Sequence, residues 1–379
     1  MLALPPLSLY IHIPWCVRKC PYCDFNSHRA PAALPEADYV QALLRDLALD
    51  APLTRSRPVT TVFIGGGTPS LFSAAALHTL LQGVRQTVEL APGAEITLEA
   101  NPGTVEATRL AGYRAAGVNR LSLGVQSFSD RLLHTLGRIH DGEQAREAVA
   151  IARSAGFDNL NLDLMHGLPE QTQEQALADL ELGLALEPEH LSWYQLTLEP
   201  NTEFHRRPPL LPDDDTVHAM QSAGQQMLAQ AGLTRYEVSA YARPQRQSRH
   251  NLNYWQFGDY LGIGAGAHGK LTDPDTGVIY RLRKYRQPEH YLQQDLNYTA
   301  QRATIDPAEL PLEFMLNALR LTGGFSRQLF ESRTGLAFDA IAKQIEYLVG
   351  AGLLTGGDEH IAPTPRGQLF VNNLLEEFL

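Results

Sequence analysis

Along the first half of the chain, short apolar and β-branched runs alternate with helix-length segments. No other feature limits the fold as much. Strands are expected at residues 7–14, 60–66, 95–100, 120–126, 159–166 and 190–197, each bounded by Gly, Pro or Asn. Helical spacing runs through 36–50, 73–87, 104–116, 142–155 and 171–185, with Ser73 and Thr104 as N-caps and Gly117 and Gly156 as closing residues. Repeated βα units require a parallel sheet with right-handed crossovers. An open doubly wound sheet and a partial barrel both meet that requirement.

Beyond residue 200 the repeat degrades. Residues 200–215 read as a Pro- and Asp-rich loop, followed by a helix at about 216–232. Residues 243–275 are rich in Gly, Asn, Gln and aromatics, with little regular pattern. From about residue 311, helical segments at 312–321, 326–334 and 338–351 precede a hairpin at 353–363 and a last helix at 364–378. This order is winged-helix-like. With eight acidic against five basic side chains in 311–379, it reads as a structural lid, because a DNA reader needs a basic face. Three regions are expected: a core at 1–235, a Gly/aromatic connecting segment at 236–300, and a C-terminal helical domain at 301–379.

All three cysteines of the 379-residue chain lie within eight positions, as Cys16, Cys20 and Cys23. Disulfides usually join distant segments, so thiols this crowded suit a metal centre better, and three of them leave it one protein ligand short. A non-catalytic zinc module is the simpler alternative. The net charge of −11 argues against general affinity for nucleic acid. No apolar stretch is long enough to span a bilayer, so a cytoplasmic protein is expected, with peripheral membrane contact open.

Chemistry in parallel α/β proteins collects at the carboxyl ends of the strands, and the cysteines follow the first of these. The second strand runs into Gly65-Gly66-Gly67-Thr68-Pro69-Ser70, where bare backbone lets a ligand approach; with no lysine after it, this is not a phosphate loop. Glu99, Gln126 and Asp163 each stand amid apolar strand neighbours. Burying them is costly unless they are bonded or face a polar ligand, and three at comparable places point to a shared ligand.

The spacing Cys-x3-Cys-x2-Cys after the first strand, with Tyr22 before the third cysteine, resembles the radical S-adenosylmethionine (SAM) superfamily. That resemblance implies a partial (β/α)6 barrel carrying a smaller C-terminal domain. It also implies one 4Fe–4S cluster on Cys16, Cys20 and Cys23, whose fourth iron SAM chelates, and an electron donor that reduces it so that the sulfonium is cleaved. The run from Tyr10 to Cys16, the glycine turn, Leu123–Phe128 (LGVQSF) and the stretch 161–169 are similar to the coproporphyrinogen dehydrogenase branch. Carried over by position, SAM contacts are Tyr10, Gly66, Gly67, Thr68, Glu99, Gln126, Arg138 and Asp163.

Members that oxidise porphyrinogens continue the motif with another cysteine, where this chain has Phe25. The string His250-Asn251-Leu252-Asn253-Tyr254-Trp255 resembles the mark of heme chaperones of the HemW type. The resemblance implies a chaperone that binds heme and passes it to acceptor hemoproteins, as a monomer or weak dimer, without coproporphyrinogen dehydrogenase activity. The alternative is oxygen-independent coproporphyrinogen III dehydrogenase, a radical decarboxylation of propionates to vinyls. Heme contacts would be His250, Asn251, Tyr254 and Trp255, since imidazole ligates heme iron and aromatics wall a flat macrocycle. Read without the resemblance, His250 is a structural hydrogen-bonder. Gly264-x-Gly266-x-x-Gly269 matches a dinucleotide fingerprint literally, but no helix follows it, so its glycines are expected to permit close packing.

Overall fold

The computed structural model describes residues 2–357 and 359–379. Six parallel strands lie side by side in chain order: β1 (Leu7–Ile13), β2 (Val59–Gly66), β3 (Leu90–Ala100), β4 (Arg120–Gln126), β5 (Leu160–His166) and β6 (His190–Gln195). Their alternation separates two environments. Leu7, Leu9, Ile11 and Ile13 of β1, with Val62, Ile64, Leu98, Leu123 and Leu162, join one buried core with Leu43, Leu47, Leu77 and Leu81 of the flanking helices. The alternate residues face one another across the inner side, as the Ser8–Thr61, Ser122–Asp163 and Asn161–His190 bonds record. This inner face is polar, and it builds the site.

The intervening helices are α1 (Glu36–Asp50), α2 (Ala74–Thr87), α3 (Ala107–Ala116), α4 (Gly142–Ser154) and α5 (Gln173–Ala185), with α6 (Asp214–Gln230) after β6. Ser73 caps α2, its hydroxyl accepting from the Ala76 amide at 3.2 Å. Thr104 does not cap α3. Glu106 holds that position without a side-chain bond, while the Thr104 hydroxyl donates to the Asn101 carbonyl at 2.9 Å and closes a short turn instead. Gly117 ends α3 at φ 109°, a left-handed conformation that glycine adopts without Cβ cost.

The connecting region is far more regular than its composition suggests. After β7 (Thr234–Arg235) and β8 (Ala240–Ala242) come the short helix α7 (Arg249–Trp255) and β9 (Asp259–Ile263), which pairs parallel with β1. The strands β10 (His268–Asp273), β11 (Val278–Lys284) and β12 (Thr299–Thr304) then extend it as an antiparallel meander. A single twelve-stranded sheet results, in the order β12-β11-β10-β9-β1-β2-β3-β4-β5-β6-β8-β7. Two features hid these strands. Gly262 is required where a Cβ would come within 1.8 Å of the His268 carbonyl oxygen. Buried charges interrupt the apolar pattern: Lys284 donates to Asp46 and Asp50 at 2.6 Å each, and Asp259 accepts from Arg57 at 2.8 Å and Lys270 at 3.1 Å.

The C-terminal region packs helices Leu310–Ala318, Arg327–Thr334 and Ala342–Gly350 around Phe314, Phe330, Ile341 and Leu348. Phe257 and Ile279 enter the same core and dock it on the sheet. The expected hairpin is present as Leu354–Gly356 paired with His360–Pro363; Asp358 lies outside the described residues. The last helix is broken at Phe370 into Pro365–Leu369 and Val371–Glu376.

Candidate cofactor site at the carboxyl ends of the strands

A cavity of about 420 Å³ opens at the carboxyl ends of β2 to β6. Cys16, Cys20, Cys23, Gly66, Gly67, Thr68, Glu99, Gln126, Arg138 and Asp163 all line it. The cysteine loop is held from both sides. Cys16 pairs with Arg29, and the Ala30 amide returns to the Cys16 carbonyl at 2.8 Å. The amides of Gly67 and Thr68 donate to the carbonyls of Ile13 at 2.7 Å and Trp15 at 2.8 Å. A Cβ on Gly67 would lie 2.6 Å from the Trp15 carbonyl oxygen, so the glycine turn is what lets β2 close on the loop.

From the far side, Asn26 Nδ2 donates to the carbonyls of Ala265 and Arg286, each at 2.9 Å. Gly264 and Gly266 sit at φ 103° and 80°, and a Cβ on Gly266 would lie 2.2 Å from that nitrogen. These glycines serve close approach.

The polar strand residues reach the cavity with their own supports. The Gly66 amide donates to Glu99 Oε2 at 3.0 Å. Burial and the nearby Asp163 carboxylate push the Glu99 carboxyl up to about 8. Burial also raises Asp163, opposed by bonds from Asn161, Ser122 and Ser192. Gln126 stands at φ 70° where the β4–β5 register shifts, a bulge that re-aims its side chain. Tyr194 donates to Gln126 Oε1 at 2.8 Å, which leaves the amide NH2 for other partners. Arg138 Nη2 donates to the Gly124 carbonyl at 2.6 Å and Nη1 reaches Cys20 Sγ at 3.7 Å, while its buried Nε has no partner.

Tyr10 is not brought to the cavity wall. Its hydroxyl bonds His12 Nδ1 at 2.9 Å, and His12 Nε2 bonds the Asn26 carbonyl at 2.8 Å. Since that carbonyl only accepts, Nε2 carries the proton and Tyr10 donates; burial holds the imidazole neutral by lowering its pKa to about 4. His12 was missed in the sequence, although it alternates with Tyr10 on the inner face of β1.

The residues present fit a cluster and SAM. The three thiols are free and border one cavity, yet among the described residues no three such ligands converge on a single ion. Arg138 offers a cation for a carboxylate, Glu99 and Asp163 offer carboxylates for an ammonium and ribose hydroxyls, and the glycine turn offers backbone.

The His250 string lies elsewhere, at the amino-terminal end of the strands. It forms α7, whose first amides are received by Glu95: Oε2 from Arg249 at 3.2 Å and Oε1 from His250 at 3.1 Å. His250 is 2% exposed, its ring stacked 5.0 Å from Phe63 and edge-on to Tyr254 at 4.9 Å. Thr61 donates to Ser8 at 2.7 Å and therefore accepts from His250 Nδ1 at 2.8 Å. Burial depresses the imidazole to about 3. Asn251 and Tyr254 are half-buried, and Trp255 is covered by Arg320 at 4.3 Å. In this arrangement the string floors the inner face of the sheet, and His250 Nε2 is buried without a hydrogen-bond partner.

The radical SAM superfamily matches residues 10–183, and the HemN C-terminal domain matches residues 305–370. Over 379 residues, all of both chains, the sequence is 53% identical to the heme chaperone HemW of Escherichia coli strain K12. It is 37% identical to the mitochondrial radical S-adenosyl methionine domain-containing protein 1 of Mus musculus, covering 92% of this chain and 81% of that protein. Among solved structures it is similar to coproporphyrinogen III oxidase (HemN) from Escherichia coli, a radical SAM enzyme. There the TM-score is 0.83 and the identity 26%, covering 99% of this chain and 90% of that one.

Proposed function

Because the chain belongs to the HemW family of radical SAM proteins, we propose that it binds heme and hands it to heme-accepting proteins. The full-length identity of 53% to a heme chaperone carries this reading. Cys16, Cys20 and Cys23 would hold the 4Fe–4S cluster, and Gly66, Gly67, Thr68, Glu99, Gln126, Arg138 and Asp163 would surround SAM. When bound and reduced by an external electron donor, the pair supplies one-electron cleavage of the sulfonium. The chain's own part is to orient SAM: Arg138 fixes its carboxylate, Glu99 and Asp163 its cationic and hydroxyl groups.

We place the heme at the mouth of this cavity and not on His250. Phe25 is 57% exposed beside Cys23, and Val17 and Ile139 are exposed in the adjoining recess shared with Cys20 and Arg138. Arg18 borders both hollows. Three apolar side chains with a guanidinium suit a flat apolar ring that carries two carboxylates. Titration of anaerobically reconstituted protein should give a stoichiometric heme absorption band. Phe25→Glu and Arg18→Glu should each weaken heme binding about tenfold, an expectation on the scale of one lost buried contact. Wild-type binding no better than that of an unrelated acidic protein would remove the chaperone reading; unaltered binding by both variants would remove only the rim.

The full-length likeness to HemN favours one other reading, oxygen-independent decarboxylation of coproporphyrinogen III. Phe25 at the position of a further cysteine argues against it. Anaerobic incubation with substrate, SAM and reductant decides: release of protoporphyrinogen IX would establish the enzyme.

A further inference from the structure

We propose that His190 is a positioning residue for the Asp163 carboxylate, acting through Asn161, and that Tyr236 extends this line to the start of α7. It rests on the reading above that Asp163 faces SAM. The cavity and the floor helix that carries the His250 string then form one hydrogen-bonded unit.

The directions of the bonds are fixed by which atoms can donate. Asn161 sits on β5 two residues before Asp163, with His190 opposite it and Ser192 opposite Asp163 on β6. The Asn161 carbonyl oxygen is 2.6 Å from His190 Nδ1 and 3.1 Å from Ser192 Oγ. Its amide nitrogen donates to Asp163 Oδ1 and to Ser122 Oγ, both at 2.8 Å. Ser122 in turn donates to Asp163 Oδ2 at 2.9 Å. With both carboxylate oxygens accepting, the Asn161 amide must face Asp163, so its carbonyl faces His190 and Nδ1 must carry the proton.

The imidazole is neutral, because burial and the Arg120 charge hold its pKa well below the ordinary value. Nε2 is then an acceptor, and Tyr236, at 2.8 Å, donates to it. The Tyr236 oxygen is left to accept, and the Ser248 amide donates to it at 3.3 Å. Ser248 is the N-cap of α7, its hydroxyl accepting from the Asn251 amide at 3.3 Å. Asn161, His190, Tyr236 and Ser248 are all buried, so water does not compete for these bonds. Every proton along the line points from the floor helix toward Asp163. Reversing the His190 tautomer would turn the Asn161 carbonyl on Asp163, setting oxygen against oxygen.

Two substitutions at one position separate orientation from simple filling of space. Asparagine places an amide N–H near the position of Nδ1, so His190→Asn keeps the donor to Asn161. Glutamine reaches toward the position of Nε2, so His190→Gln keeps an acceptor for Tyr236 and loses that donor. In cluster-reconstituted protein, equilibrium titration with SAM should give a Kd within about threefold of wild type for His190→Asn and about tenfold weaker for His190→Gln, with iron content unchanged. Asp163→Asn supplies the control, since on that background His190→Gln should add little further weakening. Equal SAM affinity for the two variants would overturn the proposal, whether both match wild type or both fall together with their melting temperatures. A wild-type protein that binds heme but not SAM would remove the cofactor reading itself and this proposal with it.

Discussion

The amide of Gly66 donates to Glu99 Oε2 at 3.0 Å, joining the glycine turn of one strand to the buried carboxyl of the next. This bond favours the ionised carboxylate, but burial and Asp163 outweigh it and leave Glu99 protonated near neutral pH. A cationic ligand beside Glu99 must therefore displace a proton. SAM affinity should rise between about pH 6 and pH 8 and level off above, and Glu99→Gln should flatten the profile. The folding contribution has the opposite sense. Glu99, raised in the folded state, favours folding below its unfolded value and loses that contribution as pH rises through about 8. Denaturant titration of ligand-free protein at the two ends of this range should show the wild type losing more stability than Glu99→Gln.

Gly67→Ala should damage the cluster without touching a thiol. Its Cβ would press on the Trp15 carbonyl, a backbone atom that moves only with the cysteine loop. Overpacking of this kind costs about 1–3 kcal/mol. The measurement is iron and sulfide per chain after anaerobic reconstitution, expected to fall severalfold.

Cys20→Ala should abolish the broad iron–sulfur absorption, since two remaining thiols cannot hold three corners of a cubane. A variant that retained full iron and sulfide would contradict the ligand assignment.

His250→Ala should lower stability and leave heme binding intact. It removes a ring packed between Phe63 and Tyr254 and strips Thr61 of a donor, a loss of about 2–4 kcal/mol for a buried cavity with an unpaired partner. Heme titration and thermal melting on the same sample check both halves. Abolished heme binding with an unchanged melting temperature would restore His250 as a heme ligand.

Lys284→Met should be among the most damaging changes remote from the cavity. Asp46 and Asp50 would remain in the core without their cation, and an uncompensated buried charge costs about 3–5 kcal/mol. The denaturation midpoint should fall accordingly.

The six parallel strands were legible because their helix-facing residues are uniformly apolar. Strands β9 to β11 were not, because Gly262, Asp259, Lys270 and Lys284 satisfy close contacts and ion pairs that only the folded sheet reveals. The cavity residues stood out as polar groups at strand ends. Asn161, His190 and Tyr236 did not, since their meaning lies in neighbours 29 and 46 residues apart in sequence. The seven residues of α7 span too few turns to display a helical period, so the string read as a loop and its buried imidazole as available.

Asn26 has a consequence for the order in which the molecule matures. The cysteine loop is fastened through Asn26 by carbonyls 239 and 260 residues later in the chain, so its residues are synthesised well before those that hold its far side. Until β9 lies beside β1, that loop has only its near-side supports, the amides of Gly67, Thr68 and Ala30. A settled loop for the cluster therefore requires the far end of the sheet, and a chain ending before residue 286 would leave Asn26 without one of its two carbonyl partners.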